Sequence, residues 1–133
     1  MYKVIDKNSF YDMQDETKHV YKLNDEFPHD NRKISESRLI ELSTDLNRKK
    51  YPLIELDSEL KKMSKKDIQS MLEKDNIEYD KNSNKDSLIV VYEYDQSRNR
   101  LIQELEELSL PFDESLSNYE IVESILKSKE EVK

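Results

Sequence analysis

The sequence predicts an α+β, helix-rich fold: a small N-terminal β-β-α-β unit followed by two helix–extended-loop–helix repeats. Three observations lead there. Short alternating or β-branched runs fill the first 56 residues and then stop. Apolar residues recur at helical spacing from Ile68 onward. That helical pattern then repeats with an offset of 33 residues.

In the front part, "YKVI" reads as a first strand. "HVYKLNDEFP", His19 to Pro28, reads as a second, with Val20, Leu23 and Phe27 turned inward and a bend at Asn24-Asp25. Ser35 is placed to cap a helix over "ESRLIELSTDL", with Leu39, Ile40 and Leu42 as its apolar stripe. "YPLIEL" returns as a short strand entered through Pro52, which suits an edge. The pattern changes near Leu60, so three segments are expected: residues 1–60, 61–95 and 96–133.

The repeat pairs Ile68 with Leu101, Leu72 with Leu105, Ile77 with Leu110, Tyr79 with Phe112 and Asp80 with Asp113. It continues with Leu88 and Ile121, Ile89 and Val122, and Tyr92 and Ile125. Ser64 with Asp67, Ser83 with Asp86 and Ser117 with Glu120 each set an acid three residues after a capping serine. Asn76 stands where a left-handed helix terminator is needed. "LIVVYEY" is β-branched enough for a strand, but its sister segment is helical in pattern and a helix is expected. Tyr79 and Phe112 are expected to be buried between the helices of their hairpins.

Composition excludes several kinds of chemistry. The 133 residues are 35% hydrophobic and 39% charged, with a net charge of −8. Cys is absent, which removes disulfides, thiolate metal sites and cysteine nucleophiles. Gly is absent too, and with it the loops that cradle phosphates by close backbone approach. Turns must use Asn, Asp, Pro and Ser. No apolar run approaches the roughly 18 residues of a membrane span, so a soluble chain with no membrane partner is expected.

The residues of the second half resemble a known family. "DIQSMLEKDNIEYDKNSNKDSLI" is similar to the helix–extended-loop–helix module of the HeH/LEM class, related to SAP domains and to the N-terminal segment of the Rho terminator. "RLIQELEELSLPFDESLSNYEIVESIL" is similar to it more loosely, and both lack the family's frequent loop Gly. "HVYKLNDEFP", "SESRLIELST" and "YPLIEL" in turn resemble the N-terminal region of small tailed-phage and prophage proteins encoded near head genes. The resemblance implies a virion or bacterial host cytoplasm, with head or connector proteins, or a second copy, as partners.

Relatives of the module bind DNA or RNA through helix N-termini and neighbouring lysines. On that resemblance Lys61, Lys62, Lys65 and Lys66, with Lys81 and Lys85, are the candidate nucleic-acid residues. The ordinary alternative is a solvated, lysine-rich helix entry. Binding would be weak and salt-sensitive, because residues 61–95 hold 7 basic and 8 acidic groups. Leu101, Leu105 and Leu108 form an apolar stripe beside an acidic face, a candidate partner surface whose alternative is the hairpin core. His19 and His29 lack a clustered set of acids and read as surface or strand-edge residues. No catalytic residue, metal, cofactor or small-molecule substrate is expected, and the role implied is a non-enzymatic structural or assembly accessory.

Overall fold

The computed structural model describes residues 1–30 and 32–131, so the last two positions of the expected third segment lie outside the described residues. The chain divides into two compact units, Met1–Asp57 with the residues from Leu126, and Ser58–Ile125. The fold is α+β and helix-rich, with short antiparallel strands followed by helices.

In the first unit, β1 (Tyr2–Val4) is the central strand of an antiparallel sheet in the order β4-β1-β5, with β4 Glu26–Phe27 and β5 Ile54–Leu56. Tyr2 faces Phe27 on one side and Leu56 on the other. A second ribbon pairs β2 (Phe10–Tyr11) with β3 (Val20–Tyr21), setting Phe10 opposite Tyr21. Helix α1 (Glu36–Ser43) starts at Ser35, whose hydroxyl accepts from the Arg38 amide. The core gathers Val4, Phe10, Tyr21, Phe27, Leu42, Leu53 and Ile54, with Leu39 packed against it.

Two expectations change here. The segment from His19 to Pro28 is not one strand, because Asn24 takes φ 74° and splits it into β3 and β4. Val20 and Leu23 do not point inward; they are 52% and 46% exposed, while Tyr21 is fully buried. Tyr21 stacks on Phe10 at 5.2 Å and packs on Phe27 at 5.1 Å. Once that ring claims the interior, the two-residue period of a strand sends Val20 to solvent.

With no glycine, non-glycine residues must take positive φ. Ser9, Lys18, Asn24, Lys50, Asn76 and Ser109 do so, with φ between 47° and 74°. Buried carboxylates hold the loops of the first unit around these bends. Asp6, Asp12 and Asp15 each accept a backbone amide two residues on, from Asn8, Gln14 and Thr17. Each is also bound by a cation from far along the chain: Lys49 on Asp6 at 2.7 Å, Arg38 on Asp12, and Arg32 on Asp15 at 2.7 Å. Buried Asn47 closes the loop after α1 by donating to the carbonyls of Glu41, Thr44 and Tyr51.

The second unit opens with a 3₁₀ turn (Glu59–Lys62) and α2 (Lys65–Lys74), capped by Ser64. Helix α3 runs unbroken from Lys85 to Glu107, and α4 spans Asn118–Glu131. "LIVVYEY" is therefore helical, inside the same helix that carries Leu101 and Leu105.

The offset of 33 holds in the hydrogen bonds. At the end of α2, Asn76 takes φ 57°, Ile77 N–H bonds the Leu72 carbonyl and Asn76 N–H bonds that of Glu73. At the end of α3, Ser109 takes φ 57°, Leu110 bonds Leu105 and Ser109 bonds Glu106. Both are Schellman terminations. Asp80 then accepts from Asn82, as Asp113 accepts from Ser115. Caps at Asn84 and Ser117 begin the next helices.

Lys85 Nζ reaches back to the Lys61 carbonyl, and Asn118 Nδ2 reaches back to that of Tyr94. In each copy the loop thus runs back along its first helix before the second begins. The paired apolar residues Ile68 and Leu101, Leu72 and Leu105, Leu88 and Ile121, and Ile89 and Val122 are all buried.

Candidate functional site

The six lysines singled out from the sequence lie on the first hairpin. Ser64 accepts from the Asp67 amide and starts α2, so Lys65 and Lys66 occupy its first two positions, both exposed. Ammonium groups there oppose the partial positive charge of the helix end, a position that favours acids by about 0.3–1 kcal/mol. Lys62 reaches Glu59 at 3.3 Å, an exposed pair of little energetic weight. Lys85 donates to the Lys61 carbonyl, which brings the 3₁₀ turn and the start of α3 together. Lys81 is exposed in the intervening loop.

The leucine stripe is divided by the fold. Leu101 is fully buried and Leu105 is 3% exposed, so neither can meet a partner; Leu108 is 42% exposed. At about 100° per residue, Leu101 sits about 140° around α3 from Leu88. The front of the helix buries Leu88 and Ile89 against α2, together with Leu60, Ile68 and Leu72. Its back half buries a different face, that of Leu101 and Leu105. One helix is thus apolar on two sides, at different heights.

Neither loop aromatic is buried. Tyr79 is half-buried against the first hairpin's core, and its hydroxyl donates to Glu73 at 2.6 Å. Phe112 is 38% exposed, with the Arg98 guanidinium 5.2 Å from its ring centre. Arg98 also donates to the carbonyls of Glu114 and Leu116 and to Asn118, pinning the returning loop through its backbone. Ser83 is not the cap of α3; Asn84 is, accepting from Ser87 at 2.8 Å. Ser117 and Glu120 do form a reciprocal capping box.

The sequence reading missed a polar cluster in the first unit. His19 stacks on His29 with ring centres 3.9 Å apart, and the buried Tyr21 lies edge-on to both. The Tyr21 hydroxyl accepts from the His29 backbone N–H at 3.0 Å and lies 3.0 Å from Nδ1. Arg32 Nη2 lies 3.3 Å from the same nitrogen. Tyr21 and Arg32 thus both meet the His29 ring at Nδ1. Nε2, on the other side of the ring, lies 3.8 Å from Asp30.

Arg32 also binds Asp15 and Asp30, both at 2.7 Å, and holds each carboxyl below the usual carboxylate range. Thr17 takes the second Asp15 oxygen through its amide and hydroxyl. Tyrosine, histidine and acid lie together as in a proton relay, yet His29 Nδ1 and both Asp15 oxygens already have partners. The cluster ties Asp15 to Arg32 and His19 to His29 across the bend at Asn24. A ten-residue gap between two histidines could have been read as ring pairing across a bent strand, had the bend been given full weight.

Among the described residues no group of three or more His, Asp or Glu could hold a metal ion. No helix among them is long and apolar enough to cross a membrane. Comparison with protein-family models, curated proteins and solved structures gives no match.

Proposed function

We propose that the chain is a non-enzymatic structural or assembly accessory of a tailed phage or prophage, acting through protein–protein contacts of its helical unit. The supporting observation is the surface of α3. Val90 is 66% exposed and Tyr94, one turn on, is 46% exposed. Asn118 bonds Tyr94 and precedes Tyr119, itself 38% exposed. Tyr94 and Tyr119 are thus exposed beside the bonds that join α3 to the start of α4, and Val90 is exposed one turn before Tyr94 on the same helix. Such exposed apolar and aromatic side chains are what a protein contact uses. The phage setting rests on the resemblance of the two halves, in that order.

Photo-crosslinking from position 90 or 94 in a phage-producing host tests this. Capture of a head or connector protein is the expected result. Crosslinks scattered over abundant host proteins would refute it.

A second reading, weak nucleic-acid binding by the first hairpin, is favoured by Lys65 and Lys66 standing against the dipole of α2. Titration with duplex DNA at low salt should then shift the amides of residues 61–86 and lose the effect as salt rises. If those amides stay still at low salt, this reading fails.

A further inference from the structure

We propose that the first unit carries a binding site for a small organic oxyanion, a carboxylate or phosphate borne on a compact apolar or aromatic body. A cavity of about 670 Å³ lies among β2, α1 and the loop that follows α1. That volume falls within the range of about 300–1,000 Å³ typical of ligand sites. Its lining includes the buried apolar residues Phe10, Leu42 and Leu53. Exposed Tyr11 and Met13 also line it, at 51% and 59%. Met13 offers a thioether that adapts to irregular shapes.

Charge selects the ligand. Three cations and one carboxylate line the cavity, in a chain whose net charge is −8. Two of the cations are committed. Arg38 is bound by Asp12 and Glu41, and Lys49 by Asp6 and the Ser9 carbonyl. Arg48 is different: its contact is the Met13 sulfur at 3.7 Å, and among the described residues no carboxylate pairs with it. The adjoining Asn47 is fixed by three carbonyls, so the root of the Arg48 side chain is held while its guanidinium is available. A planar guanidinium beside an apolar wall matches a bidentate oxyanion attached to an apolar group.

The test is an amide NMR titration of the full chain with phenylacetate, phenyl phosphate, benzylammonium and inorganic phosphate. The first two probes separate a carboxylate ligand from a phosphate one. Saturable shifts at Phe10, Gln14, Arg48 and Lys49 are expected with at least one of them, with a dissociation constant of about 1–10 mM for so small a probe. Arg48→Gln, at an exposed position, should weaken that binding by about tenfold. Met13→Ala should weaken it by a smaller factor. Benzylammonium and inorganic phosphate should leave those amides unmoved. The proposal is overturned if neither aromatic anion saturates, if Arg48→Gln binds as well as the parent, or if inorganic phosphate alone gives the same shifts.

Discussion

Leu101→Ala and Leu108→Ala are a sharp pair, because the two residues belong to one apolar stripe in the sequence and to opposite environments in the fold. Leu101 has no exposed surface. Removing a buried leucine side chain loses its transfer free energy and leaves a cavity, about 2.7–5 kcal/mol together. Leu108 is 42% exposed, so much of its transfer term is already missing and no closed cavity forms. Its truncation should cost less than about 1 kcal/mol. For a domain of this size 1 kcal/mol moves Tm by about 4–8 °C. The Leu101 variant should therefore melt lower by roughly 12–24 °C at a 3 kcal/mol loss, and the Leu108 variant by only a few degrees. Urea unfolding followed by far-UV circular dichroism gives the free energies directly. Ile68→Ala, at the matching buried position of the first copy, should behave like Leu101→Ala. Equal costs at 101 and 108 would refute the division of the stripe. A large loss at 101 with none at 68 would refute the equivalence of the two hairpins.

Other perturbations probe the caps and charges. Ser109→Gly should raise stability by about 0.5–1 kcal/mol, since φ 57° costs serine and not glycine; Asn76→Gly should gain less, because asparagine tolerates that region, and thermal melts can rank the two. Lys65→Glu should stabilise α2 by about 0.3–1 kcal/mol while abolishing any DNA-induced shifts, measured by urea unfolding and NMR titration on the same protein. The Asp15 carboxyl is held below its ordinary value by Arg32. A depressed carboxylate adds stability that is complete above the unfolded value of about 3.9 and is lost as pH falls through the folded one. The urea midpoint should therefore drop as the solution is acidified from about pH 4 downward, and less steeply in Asp15→Asn.

What could be read from the sequence was what depends on near neighbours along the chain. The Ser35 and Ser64 caps and the left-handed Asn76 are set within a turn or two of sequence, whereas the helix over "LIVVYEY" is legible only from its sister segment 33 residues on. The repeat was legible for the same reason: its spacing is fixed by two identical terminations and two Asx turns. The inward face of β3 was not. A two-residue strand carries no periodicity, and the choice between Val20 and Tyr21 is made by Phe10 and Phe27 across the unit. The polar clamps escaped because their partners are distant: Lys49 lies 43 residues from Asp6, Arg38 26 from Asp12 and Arg32 17 from Asp15. Of the candidate site, the lysines were visible as a charge run. The split of the leucine stripe needed the course of α3.

The shared helix has a consequence for how the second unit can change. In separate hairpins, a loop insertion in one copy would leave the other untouched. Here α3 closes the first hairpin with Leu88 and Ile89 and opens the second with Leu101 and Leu105. The angle between those faces is fixed by the number of residues between them. One residue inserted between Tyr94 and Arg98 would turn the second face by about 100° relative to the first. It would also break the Tyr94–Asn118 bonds from Arg98 and its loop contacts, which now lie on the same side of the helix. The exposed Val90 and Tyr94 stand within this constrained stretch. A partner that grips them grips a rigid element tied to both cores, so binding there should stiffen both hairpins together.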